Sequence, residues 1–170
     1  MSKVGIKNGD IFQIPLPADL GFAYAKHINL LQINSQAQYP TLIKIYNHRS
    51  LVSEKSVEKF INKELILSPL LIAGVLQVIS EKTWKVIGNV PIDDGDKIIP
   101  HYKRPEPSEE NSREWYYLID ADISKKIKSS YEKVKHLETI GAVGSELVGT
   151  KIAMALLQDE GKRIEDHFLR

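Results

Sequence analysis

The 170-residue chain contains no cysteine. Disulfides, thiolate metal sites and cysteine nucleophiles are excluded, and a reducing cytosol is the compartment such a composition suits best. Long apolar runs are also missing. The most apolar stretch, Leu65 to Ile79, is broken by Ser68-Pro69 and Gln77, whereas a membrane-spanning helix needs about 20 apolar residues. Nor does charge of one sign dominate: 23 lysines and arginines face 22 aspartates and glutamates, for a net charge of +1. No global field draws polyanions, so nucleic acid is not the favoured partner. The same balance argues against a strongly acidic inhibitor that imitates DNA. Met1-Ser2-Lys3-Val4-Gly5-Ile6-Lys7 lacks the apolar core and small-residue cleavage site of a signal peptide, so export by that route is not expected.

Signatures of catalysis are absent too. The five histidines, His27, His48, His101, His136 and His167, form no H-x-H or H-E-x-x-H pair that would preset a metal site. There is no G-x-S-x-G elbow and no G-x-x-x-x-G-K-[ST] phosphate loop. Asp93-Asp94-Gly95-Asp96 lacks the alternating spacing and distal glutamate of a calcium loop and reads as an acidic turn. The glycines Gly141, Gly144 and Gly149 follow no strand of dinucleotide-binding type and read as a helix junction with close packing. No cofactor or metal is expected.

What is present is alternation. Asp10 to Pro15, Gly21 to Ile28 and Leu42 to Tyr46 read as strands from their period-2 pattern and their β-branched and aromatic content. Pro15 to Asp19 is a turn, because proline cannot donate to a ladder, and Asn34 to Gln38 is a second, polar turn that suggests an antiparallel meander. Val57, Phe60 and Ile61 recur at helical spacing after Ser53-Glu54-Lys55-Ser56, where either serine could cap a short helix. The apolar segment Leu70 to Ile79 and Trp84 to Ile87 are read as the two strands of a hairpin, with Trp84 in the core. Three prolines and dense charge make 93–113 a long exposed loop, followed by a strand from Glu114 to Ile119. Ile127, Tyr131, Val134 and Glu138 then share a helical face flanked by Lys125, Lys126, Lys128, Lys133 and Lys135, and a second helix runs from Ser145 to Gln158 with Leu147, Val148, Ile152, Ala155 and Leu156 inward. The expected fold is mostly β (α+β): an antiparallel, strongly curved sheet or partly open barrel with a short inserted helix and C-terminal helices. A single domain over 1–170 is expected, with a β core at 8–120 and a helical part at 124–170.

Three segments together resemble the immunity protein 26 family of bacterial polymorphic toxin systems: Gly9 to Leu16 with Gly21-Phe22-Ala23-Tyr24, then Ile45 to Arg49, then Trp84 to Ile92. The resemblance covers roughly Asn8 to Asp120. It implies a mostly β domain encoded beside a secreted toxin, often a nuclease, which it binds and blocks inside the producing cell.

Neutralisation by binding needs a folded patch rather than a reactive group. His101-Tyr102-Lys103-Arg104 and Trp115-Tyr116-Tyr117 offer the Trp, Tyr and Arg types that dominate interface hot spots, and these seven are the candidate contact residues for a cognate protein toxin. Two other readings of the residues stay open. A hydrolase could assemble Asp120 and Asp122 with His48 or His101, and a nucleic-acid-binding β domain could use tyrosines and lysines aligned on one sheet face.

Overall fold

Three alternating segments build the centre of the first sheet. In the computed structural model, which describes residues 5–107 and 113–163, β1 (Asp10–Pro15), β2 (Phe22–Asn29) and β3 (Thr41–Ser50) are antiparallel neighbours. The turn at Pro15 to Asp19 closes with the Leu16 N–H donating to the Gly21 carbonyl at 2.8 Å. The inserted helix is a single 3-10 turn, Val57–Lys59, whose N-terminus is capped by the Ser56 side chain accepting from the Glu58 N–H.

The expected hairpin of two long strands does not form. Only Leu70–Ala73 is extended (β4); Gly74, at φ 81°, then takes the left-handed conformation open to glycine and starts α1, Val75–Ser80. A short apolar run cannot be assigned to strand or helix by pattern alone. β5 (Lys85–Asn89) pairs with β1 rather than with β4. With the two-residue β9 (Val143–Gly144) added parallel to β4, the sheet order is β5-β1-β2-β3-β4-β9. Register shifts between Ile11 and Phe12 in the β1–β5 pairing, and between Ala23 and Ala25 in the β2–β3 pairing, are bulges that increase its twist.

The segment expected to be a long loop carries a strand. β6 (Tyr102–Pro107) pairs with β7 (Arg113–Leu118), which pairs with β8 (Lys126–Ser129), giving a second, three-stranded sheet. Pro105 and Pro107 are tolerated because β6 is an edge strand. At Lys103, two residues earlier, the N–H points away from β7 to the Glu138 carbonyl, so the proline nitrogens fall on the side that has no ladder bond to lose. Residues 108–112, also read as part of that loop, lie outside the described residues. The lysine-rich segment expected to be helical is likewise extended at β8, and only Tyr131–Val134 (α2) is helical there. α3, Ser145–Asp159, forms as expected, although Leu147 points to solvent and Val148, Ile152, Ala153, Leu156 and Leu157 make the buried face. Among the described residues the protein is thus mostly β, with nine strands in two sheets and few helices.

The first sheet is covered on both faces. One face, with Phe12, Ile14, Ala23, Ala25, Ile43, Ile45 and Ile72, packs against α1, α3 and Trp84. On the other face, Ile11, Tyr24 and Tyr46 pack with Phe60, while Ile28, Leu42 and Leu71 pack with Ile99, just before β6, and with Tyr102 and Leu118 at the second sheet's inner end. Between these two apolar clusters Lys26 and Lys44 lie directly opposite each other on β2 and β3. Like charges so placed repel, and Asp96 resolves the conflict. One carboxylate oxygen pairs with Lys26 and the other lies 3.5 Å from Lys44. Lys26 also donates to the Pro91 carbonyl and Lys44 to the Gly95 carbonyl, at 2.9 and 2.6 Å, so the acidic turn is a strap pinned across the sheet.

Close packing of α3 has a testable consequence at Gly149. A Cβ there would stand 2.7 Å from the Pro15 carbonyl oxygen, a backbone atom at the end of β1. Alanine ordinarily stabilises a helix interior by about 1 kcal/mol over glycine; here Gly149→Ala is expected to lower the thermal midpoint. An unchanged or raised midpoint would mean that helix and strand separate at little cost.

Candidate functional site

Strand alternation divides the candidate contact residues between two faces and the core. Tyr102 is only 2% exposed, packs against Leu118, and donates its hydroxyl to the Pro69 carbonyl at 3.1 Å. It is a core residue. Its expected exposure followed from reading its segment as a loop, and strand pairing turns the ring inward.

One face of the second sheet carries Lys103, Trp115, Tyr117 and Ile127, as the register of β6, β7 and β8 requires. His101 lies against Tyr117 with ring centroids 5.0 Å apart and planes tilted by 39°, and Trp115 lies 4.9 Å from Tyr131 at the start of α2. Lys103 reaches over the Tyr131 ring at 5.9 Å and donates to the Lys135 carbonyl. Ile127 and Tyr131 are 55% and 48% exposed. The result is a strip of two aromatic pairs on one face, half-open to solvent, with Lys103 beside it.

The opposite face is an ion-pair ladder. Arg104 Nε lies 3.1 Å from Glu106, which also accepts from Lys126 at 2.8 Å, and Lys128 pairs with Glu114 at 2.5 Å. Tyr116 donates its hydroxyl to Glu114, and Lys126 sits 4.7 Å over the Tyr116 ring. The hydrogen bond from Lys128 and then that from Tyr116 hold the Glu114 carboxyl below its ordinary range. Arg104 and Tyr116 are therefore separated from the aromatic strip by the thickness of the sheet. The lysines of β8 that could have formed a basic stripe for nucleic acid are matched by glutamates across the strands.

Of the side chains a hydrolase would need, the structure brings only Asp120 and His101 near each other, and their contact is through the Asp120 main chain rather than its carboxylate. The Asp120 N–H donates to His101 Nδ1 at 3.3 Å. The Asp122 carboxylate is committed to its own turn, accepting from the Ser124 N–H and hydroxyl at 2.9 and 2.6 Å. His48 lies in a different cluster, stacked on Phe60 and placed between Glu54 and Lys63, at 3.3 and 3.0 Å. Among the described residues no group of three or more His, Asp or Glu side chains is arranged to hold a metal ion, and no helix is long and apolar enough to cross a membrane.

Tyr131 and Ile127 complete the aromatic strip and were not among the residues expected there. The usable signal was the alternation of Lys126-Ile127-Lys128-Ser129, which marks a strand beside Trp115 rather than a helix face.

The fold and this surface define a mostly β scaffold with one aromatic face and one ion-paired face on its smaller sheet. The chain belongs to the Immunity protein 26 family, whose model matches residues 7–126, more than two thirds of its length. The three segments that suggested the resemblance all lie within that match. No curated protein and no solved structure matches the chain.

Proposed function

We propose that this protein is the immunity partner of a bacterial toxin, and that it neutralises the toxin in the cytoplasm of the producing cell by binding it, without catalysis. Membership of the Immunity protein 26 family carries this reading. The contact surface is the aromatic strip of His101, Trp115, Tyr117 and Tyr131 with Lys103 and Ile127; Arg104 and Tyr116, on the opposite face of the sheet, lie outside it. Supporting that placement, Trp and Tyr are the side chains most enriched at hot spots, and the strip leaves them accessible. A stable complex buries about 800 Å² on each partner, so the strip would be the centre of a larger patch.

Co-expression with the toxin domain encoded beside this gene is expected to rescue growth, and the two chains are expected to co-purify unaltered. Exchanging Trp115 and Tyr117 for alanine should weaken the complex by about 2 kcal/mol or more, roughly 30-fold in Kd. Tyr131→Ala with Ile127→Ser, at more exposed positions, should weaken it while leaving the unfolding midpoint nearly unchanged. Full affinity in both variants would move the contact off this face. Failure of the wild-type protein to bind or protect against the neighbouring toxin would overturn the immunity reading, and turnover of the toxin or its product would show protection to be enzymatic.

A further inference from the structure

Along the helix-covered face of β2 the inward positions run Ala23, Ala25, His27, Asn29. The two alanines lie under the main core, where α1 and α3 pack. Beyond them the pattern turns polar, and His27 and Asn29, with Thr41 of β3 and Ile72 of β4, line a cavity of about 530 Å³. That volume lies within the range of small-molecule sites, about 300–1,000 Å³. Ile6, Val75 and Leu76 supply apolar walls, and among the described residues no Lys, Arg, Asp or Glu lines it.

The polar chemistry of this cavity is set by His27. Its Nδ1 is 2.8 Å from the Lys7 carbonyl oxygen, which can only accept, so Nδ1 carries the proton. The neutral ring then offers an Nε2 lone pair. Burial lowers the His27 pKa, against the smaller raising effects of the Lys7 carbonyl and the Asp10 charge, and so favours that neutral form. Asn29 uses its Oδ1 to accept from the Leu31 N–H, leaving its amide NH₂ as a donor.

From the uncharged lining, the apolar walls and the acceptor at His27, we propose that this cavity binds a compact, uncharged, largely apolar molecule carrying an N–H or O–H donor. A charged ligand would lose its hydration without gaining a counter-charge. One with no donor would leave the imidazole lone pair unsatisfied. The site is on the helix-covered face of the first sheet, and its occupancy does not depend on the immunity reading.

Indole and benzofuran, which share a bicyclic shape and differ in the N–H donor, are the probes. Titration of the full chain, followed by amide ¹H–¹⁵N shifts, is expected to give saturable indole binding with shifts centred on His27, Thr41 and 73–76. Benzofuran should bind about tenfold more weakly. Ala142→Trp, at the half-buried rim of the cavity, should abolish indole binding while the unfolding midpoint is kept. His27→Phe should remove the preference for indole over benzofuran. Non-saturating shifts, shifts mapping elsewhere, or equal affinity for the two probes would overturn the proposal. Release of bound toxin by saturating indole would assign the cavity to a toxin side chain and overturn it as a separate ligand site.

Discussion

Asp96→Ala is expected to cost about 3–5 kcal/mol of stability, the usual penalty for removing one member of a buried ion pair. Lys26 is only 3% exposed, and without Asp96 its ammonium keeps the Pro91 carbonyl but no counter-charge, with Lys44 directly opposite. Urea unfolding would measure the loss. Lys26→Met combined with Asp96→Leu should restore most of it, because no charge is then left without a partner. Burial raises the Asp96 pKa, but the Lys26 hydrogen bond, the Asp93 N–H and the charges of Lys26 and Lys44 together outweigh it and hold the carboxyl below its ordinary value of 3.8. This contribution to stability is therefore present above pH 3.8 and is lost as the pH falls through and below it. A loss under about 1 kcal/mol would place the pair in the range of solvated surface ion pairs instead.

Trp84→Ala should destabilise the fold by a similar amount, about 3–5 kcal/mol. The indole is 3% exposed and lies 5.8 Å from the Phe12 ring. It also fills the turn between α1 and β5, where the N–H groups of Thr83 and Trp84 both donate to the Val78 carbonyl, at 2.9 and 3.1 Å. Truncation would leave a cavity between the first sheet and its helices. Trp84→Phe should recover part of the loss by refilling it. An unchanged denaturation midpoint in Trp84→Ala, together with lost toxin binding, would reassign the residue from core to contact.

Strands β1 to β3 were legible from their β-branched and aromatic content and, in β2, from the alternation of large and small residues, and α3 because its apolar residues recur over four turns. Elements without such a signal were misread for identifiable reasons. Gly74 splits an apolar run too short to show either period. Pro105 and Pro107 looked like loop residues, since the edge position that makes them harmless exists only after β7 has paired. Lys126 to Ser129 alternates for just four residues, and the helical spacing of Tyr131 and Val134 was extended back over it. The candidate surface inherits these outcomes. Trp115 and Tyr117 do share one half-open face of β7, Tyr102 turns inward once its segment pairs as a strand, and Tyr131, whose spacing fits the apolar side of a helix, lies beside Trp115. The Lys26–Asp96–Lys44 cluster had one trace in the sequence: Lys26 falls at a position that alternation assigns to the same side as Tyr24 and Ile28.

The helix that closes the main core lies far along the chain from the sheet it covers. Ile72 and Leu156 share one apolar cluster, and at synthesis rates of about 5–20 residues per second the ribosome needs roughly 4 to 17 s to make the residues between them. During that interval Phe12, Ile14, Ile43 and Ile45 have no α3 to cover them, and the nascent chain presents the kind of apolar surface that chaperones hold. The main core can be shut only after α3 emerges, so the order of synthesis sets the order in which its two sides meet.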